Sequence, residues 1–189
     1  MPKRKCKHCK EFTEKFIKVP AGIFCDMEHA VTFAYEVNKK NRDKKIAKEK
    51  QEYNRETKRR KQALKSRSEW LKDCQQVFNK FIRERDVALP CVSCGRHHTG
   101  QYHAGHYRSV GAHPELRFNE RNCHKQCSAC NNHLSGNISN YRPNLIAKIG
   151  SSELERLEGP HEPKKYTVEE LKELKKYYQI KLKTLQNEG

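Results

Sequence analysis

The stretch that decides the fold opens with Cys91-Val-Ser-Cys94-Gly-Arg-His-His-Thr-Gly-Gln-Tyr102-His103-Ala-Gly105-His106-Tyr107-Arg108. It closes with Asn122-Cys-His-Lys-Gln-Cys127-Ser-Ala-Cys130-Asn131-Asn132-His133. Each end carries a Cys-x-x-Cys turn, and four thiolates from two such turns meet the tetrahedral preference of one Zn²⁺. A zinc held by Cys91, Cys94, Cys127 and Cys130 would draw the start of the segment against its end. Between them, Tyr102 to Tyr107 reads as a strand, Ser109 to Pro114 as a loop and Leu116 to Phe118 as the returning strand. The residues after Cys127 read as a short helix. The expected product is a zinc-stapled ββα module in which a strand histidine faces the first helical turn across a gap sized for a metal and a phosphate. Asn131 would lie near the helix N-terminus, where the helix dipole also favours an anion.

Composition gives this reading its context. The 189-residue chain carries a formal net charge of +17, so attraction to a polyanion, nucleic acid first, is the leading expectation. Hydrophobic residues make up 34%, against roughly 45–50% in ordinary globular domains. Metal-stapled modules joined by solvated helix suit such a chain, because bound zinc supplies folding free energy that a small core cannot. The nine cysteines would suit a secreted disulfide scaffold. However, the opening Met-Pro-Lys-Arg-Lys has no apolar stretch and no run approaches membrane-spanning length, so a reducing cytoplasm and no membrane partner are expected.

Four stretches follow along the chain. Residues 1–37 hold Cys6, Cys9, Cys25 and His29 at a spacing that fits a second, Cys₃His zinc site, with Phe12, Phe16 and Phe24 as its minimal core. Residues 38–66 form a basic run without Gly or Pro, read as a helical linker. It reads as a solvated helix and, compatibly with that, as a helix along a phosphate backbone, with Lys58, Arg59, Arg60 and Lys61 as contacts. Residues 67–158 are the zinc-stapled domain. Its first helix opens on a capping box at Ser66-x-x-Glu69, and Trp70, Cys74, Phe78 and Ile82 recur at helical spacing as core. Residues 159–189 are a Gly-Pro linker and an amphipathic helix opened by Thr167-x-x-Glu170. Its leucine face would pack on the domain or pair with a second copy of the chain. His97 and His98 read as spectators on a turn. His124 is open between packing beside zinc and touching phosphate, and Cys123 could compete for zinc.

The order His106, Asn122, Asn131 inside the paired Cys-x-x-Cys turns resembles the His-Asn-Asn variant of the HNH, or ββα-metal, endonuclease superfamily. Ala104-Gly-His-Tyr-Arg108 and Asn122-Cys-His-Lys-Gln-Cys-Ser-Ala-Cys-Asn-Asn-His-Leu-Ser-Gly-Asn137, together with the N-terminal cysteine spacing and the basic helix, are similar to the NinG (Rap) recombination proteins of lambdoid bacteriophages. The resemblance implies an α+β protein of the host cell cytoplasm. It would be a metal-dependent DNA endonuclease acting on branched recombination intermediates such as Holliday junctions and D-loops.

By that resemblance His106 is the general base, Asn131 holds a catalytic Mg²⁺ or Mn²⁺, and Asn122 fixes the His106 ring so that the correct nitrogen is free. Arg108, Arg117 and Arg121 become candidates for phosphate contact. Many HNH enzymes place an Asp or His ligand where this chain has Gly105, so the metal is held by Asn131 plus waters or by a second ligand from His133, His113 or His103. Strand alternation puts His103 on the face opposite His106, which weakens it as that ligand. The competing function is a non-catalytic zinc protein that binds DNA or RNA as a recombination or assembly adaptor.

Overall fold

The computed structural model describes residues 3–188. It is a mixed α and β structure, mostly helical, with three small two-stranded antiparallel hairpins. The boundary between its two compact units falls between Leu64 and Lys65.

In the first unit, β1 (Arg4–Lys5) pairs with β2 (Phe12–Thr13), and β3 (Ile17–Val19) pairs with β4 (Gly22–Phe24). The β1–β2 turn carries Cys6 and Cys9. There the Cys6 N–H donates to the Glu11 carbonyl at 2.8 Å and the Lys10 N–H to the Cys6 carbonyl at 3.1 Å, with Lys10 at φ 67°. Phe24 is fully buried with Ala30, and Ile17, Val19 and Phe33 pack around it. Phe12 and Phe16 do not join this core as expected: Phe12 is 67% exposed, with Lys5 over its ring. Helix α1 (Met27–Ala63) starts on Asp26, whose side chain accepts from the His29 N–H at 2.8 Å. With no Gly or Pro to stop it, α1 runs unbroken through residue 37, so the basic stretch continues the helix that bears His29. Ala30 is its one buried residue.

The second unit is built on a helix pair. Both expected capping boxes form: Ser66 and Glu69 exchange hydrogen bonds at the start of α2 (Arg67–Arg85), as do Thr167 and Glu170 at the start of α5 (Val168–Glu188). Trp70, Cys74, Phe78, Phe81 and Ile82 of α2 pack against Leu171, Tyr178 and Leu182 of α5, so the leucine face of α5 is covered within the chain. Each such fully buried side chain contributes roughly 1.5–3 kcal/mol. Two further helices, α3 (Ile138–Ile149) and α4 (Ser151–Glu158), bury Tyr141, Leu145, Leu154 and Leu157 with Val92, Tyr107 and Leu116.

Between these cores lies the hairpin of β5 (Tyr102–His106) and β6 (Cys123–Cys127), with Tyr102 opposite Cys127 and His106 opposite Cys123. The returning strand is therefore Cys123–Cys127 and not Leu116–Phe118. The apolar spacing at 116 and 118 has a different cause: Pro114 opens a short helical turn that sends Leu116 into the α3/α4 core and Phe118 into the α2/α5 core.

Asp86 at the C-cap of α2 ties these layers together. It is 2% exposed, accepts from Arg85 and from the Lys125 N–H of β6 at 3.1 Å, and pairs with Lys148 of α3 at 3.2 Å. Burial works to raise its carboxyl, but Arg85, the Lys125 N–H and Lys148 outweigh it and hold the pKa at about 2. Asp86→Asn should cost about 3–5 kcal/mol in chemical unfolding, since it leaves Arg85 and Lys148 without their anion. In the parent chain the carboxylate's contribution is complete above its ordinary value of 3.8 and is lost as pH falls toward 2. The variant should lack that acid limb, and an unchanged acid limb would remove Asp86 from this role.

Candidate metal centres and hairpin site

The two metal groups are assembled by local backbone geometry. Cys91 repeats what Cys6 does: its N–H donates to the Arg96 carbonyl at 2.9 Å, and the Gly95 N–H returns to the Cys91 carbonyl at 2.8 Å with Gly95 at φ 68°. Each turn thus points two thiols to one side. The ligand atoms of Cys91, Cys94, Cys127 and Cys130 lie within 4.8 Å of one another, as do those of Cys6, Cys9, Cys25 and His29. Both groups are compatible with structural zinc. The soft, closed donor sets of Cys₄ and Cys₃His match zinc chemistry and leave no open position for a substrate. Donors already face the sulfurs: the Cys127 N–H reaches Cys91 Sγ at 3.3 Å and Asn137 Nδ2 reaches Cys130 Sγ at 3.4 Å. His98 is not a spectator. Its Nε2 stands 3.2 Å from Cys94 Sγ, a partner that the Cys94-x3-His98 spacing could have suggested.

The pleat divides the hairpin into two faces. Ala104, His106 and Cys123 face α2, where Ala104 and Cys123 join its core and the His106 ring lies 6.0 Å from that of Phe78. His103, Gly105, His124 and Gln126 occupy the other face, toward a short, wide helical turn over Ala129–His133. The strand residues facing that turn are therefore His103 and Gly105, whereas His106 turns the other way. His106 Nε2–H donates to the Arg117 carbonyl at 2.9 Å, which leaves Nδ1 as the free nitrogen, 3.6 Å from Cys123 Sγ. Burial pushes the His106 pKa below its ordinary value, so the ring is neutral at neutral pH.

Asn122 does not touch that ring. Fully buried, it accepts from the Arg108 N–H at 2.8 Å and donates to the Arg108 and Leu116 carbonyls, pinning the loop that carries Arg117. The Arg117 carbonyl performs the ring-fixing role expected of Asn122. His113 has both ring nitrogens engaged, by Arg108 at 2.7 Å and Glu115 at 3.0 Å, which disfavours it as a metal ligand. Arg117 reaches Gln75, Arg121 pairs with Glu153, and His133 is exposed. His124 is buried and donates to the Tyr141 hydroxyl, which in turn donates to the Gly105 carbonyl at 2.9 Å; burial pushes its pKa down to about 3. It is a packing residue. Lys58, Arg59, Arg60 and Lys61 are all exposed on α1.

Asn131 sits on the turn with its Oδ1 3.0 Å from the point a Cβ on Gly105 would occupy, and Gln126 Oε1 lies 2.0 Å from the same point. Gln126 Oε1 is buried without a hydrogen-bond partner, a condition that costs about 1–3 kcal/mol. Two amide oxygens beside a glycine that presents no side chain fit a hard divalent cation such as Mg²⁺ or Mn²⁺. Sequence reasoning missed Gln126, because a glutamine inside a strand signals nothing until its neighbours are known.

A family model described as Bacteriophage Lambda NinG protein matches residues 1–188. Protein ninG of Escherichia phage 933W is 45% identical over 198 residues, covering 98% of this chain and 94% of that protein. Protein ninG of Escherichia phage lambda is 54% identical over 128 residues, covering 68% of this chain and 63% of that protein. Protein ninG of Salmonella phage P22 is 52% identical over 128 residues, covering 68% of this chain and 63% of that protein. No solved structure matches the chain. Among the described residues, no helix is long and apolar enough to cross a membrane.

Cys127→Ser should unfold the hairpin region, since a structural zinc contributes on the order of 10 kcal/mol. Cys6→Ser should remove one zinc while leaving residues 65–189 folded. His98→Ala should keep the fold but weaken zinc retention about 10–100-fold, the usual cost of losing a donor to a ligand. Zinc transfer to a chromophoric chelator, followed beside circular dichroism, checks all three. Equal global unfolding by both cysteine variants would contradict separate metal modules.

Proposed function

The chain belongs to the Bacteriophage Lambda NinG protein family, and from that premise we propose that it is an HNH-like, metal-dependent endonuclease for branched DNA, such as Holliday junctions and D-loops. The observation that supports the reading is the hairpin and helical turn joined at the Cys₄ group, with the Asn131 oxygen standing over Gly105 on the face that also carries His103. The net charge of +17 supports a polyanionic substrate. Zinc in this reading is structural, and the cleavage metal is a separate Mg²⁺ or Mn²⁺ at Asn131. Bound there, that cation would polarise the phosphodiester and stabilise the leaving oxygen.

The protein's own groups divide the remaining work. His106 is the general base that the resemblance names: it is neutral and the Arg117 carbonyl holds its proton on Nε2, but its Nδ1 lies on the α2 face beside Cys123, so it serves only if the strand end turns toward the phosphate. Asn122 holds the loop that presents that carbonyl. His103 is the alternative base, because it shares a face with Gly105 and its Nε2 lies 3.4 Å from Asn132 Nδ2. Arg108, Arg117 and Arg121 could reach a phosphate by exchanging their present partners, and the exposed basic face of α1 would hold the backbone without reading sequence. The orientation of His106 Nδ1 toward the Cys123 thiol favours a second reading, a zinc-stapled DNA-binding adaptor without catalysis.

The deciding assay offers zinc-loaded protein a four-way junction and a linear duplex, with and without Mg²⁺ or Mn²⁺. Metal-dependent cutting of the junction is expected, and His106→Ala should slow it about 10²–10⁴-fold while binding persists. Asn131→Ala should lose cleavage with only weak rescue by excess metal. Loss in His103→Ala but not in His106→Ala would transfer the base role. Tight binding without cutting in any metal would establish the adaptor.

A separate expectation concerns α1. Replacing Lys58, Arg59, Arg60 and Lys61 with Gln should weaken binding to every DNA shape and make the log–log salt slope shallower by up to about 3–4 units. An unchanged slope would make α1 a spacer.

A further inference from the structure

Gln126 is 0% exposed, and the orientation of its amide is fixed. Its Nε2 donates to the Gly136 carbonyl and to Ser93 Oγ, while the Ser93 hydroxyl itself donates to the same carbonyl at 3.1 Å. A backbone carbonyl can only accept, so the amide cannot be turned over, and Oε1 is forced toward Gly105, where it finds no hydrogen-bond partner. Asn131 is oriented in the same way. Its Nδ2 donates to Asn132 Oδ1 at 2.7 Å, and the Asn132 amide nitrogen is in turn spent on Ser128 Oγ at 3.2 Å. The Asn131 oxygen therefore also turns toward Gly105. The two oxygens stand 2.0 Å and 3.0 Å from the Cβ position that Gly105 leaves vacant, so they are no farther apart than the sum of those distances.

We infer that Gln126 Oε1 is the second protein ligand of the divalent cation, acting with Asn131 Oδ1, and that Gly105 is a glycine because any side chain there would stand between the two. The inference rests on the nuclease reading for the cation's purpose, but its geometry is independent of that purpose. Both donors are hard, neutral oxygens, suited to Mg²⁺ or Mn²⁺ and poorly suited to zinc. Because neither carries charge, the cation keeps its full positive charge, and because Gln126 is fully buried its waters lie on the more open Asn131 side. It should bind weakly alone and more tightly once phosphate oxygens replace those waters.

The test uses the full chain with both zinc sites filled and Mn²⁺ as the probe. In nitrogen-15 spectra of the unmodified protein, substoichiometric Mn²⁺ should broaden the side-chain amide signals of Gln126 and Asn131 far more than those of Gln75, and excess Mg²⁺ should restore them. Gln126→Met and Gly105→Ala should each weaken Mn²⁺ binding at least about tenfold at unchanged zinc content. Gln126 signals no broader than those of Gln75 would overturn the inference even if both variants fail to fold. Mn²⁺ binding that depends on Asn131 but not on Gln126 would overturn it as well. Junction cleavage measured on the same samples separates the two claims. Cutting that needs Asn131 but not Gln126 sinks this inference alone, whereas a Mn²⁺ site at both residues in a protein that cuts nothing sinks the nuclease reading alone.

Discussion

The closure of Cys91 and Cys94 onto Cys127 and Cys130 is the constraint on which the second unit depends. All five residues of β6 are buried, yet they include His124, Lys125 and Gln126, so beyond Cys123 at its start and Cys127 at its end the strand has little apolar surface to hold it in place. Such a strand is stable only if each polar group finds a partner. Lys125 Nζ donates to the Val87 carbonyl, the Lys125 N–H to Asp86, His124 to Tyr141, and the Gln126 amide nitrogen to Gly136. These bonds form only in one register, and the Cys₄ group sets it by anchoring Cys127 opposite Tyr102. A register slipped by one residue would exchange the faces and break every one of them.

Much of this was legible in the sequence because it is written in spacing. The Cys-x-x-Cys turns, the two capping boxes and the apolar stripes of α2 and α5 are local patterns with one physical solution each, and the structure has them. The returning strand was not legible, since Cys-His-Lys-Gln-Cys lacks the alternation of a half-buried strand, whereas Leu116 and Phe118 imitate it while serving two different cores. The partner of the His106 ring was equally hidden. A backbone carbonyl from a pinned loop does the work that the resemblance assigned to an asparagine side chain, and no residue type announces a carbonyl.

Gly105 joins the fold to the proposed chemistry. The sequence presents it as an absence, a position where the HNH resemblance leads one to expect a ligand. In the structure the vacancy is occupied, because Gln126 from the neighbouring strand places its oxygen where a side chain on residue 105 would begin. In the proposed reading, the neighbouring strand would supply the ligand that residue 105 cannot. On the proposed reading, the buried orphan oxygen that is a liability in the isolated fold would be satisfied by a cation, as local rule-breaking at a functional site leads one to expect.

The most direct measurement is anomalous diffraction from crystals of the full chain with a four-way junction and Mn²⁺, with data at the zinc and manganese edges. The expected result is zinc at both cysteine groups and a manganese peak between Asn131 and Gln126, bridged to a phosphate of the junction on the Gly105 face of the hairpin. Manganese elsewhere, or a junction bound with no phosphate at that face, would contradict the claim that this hairpin is a nuclease centre.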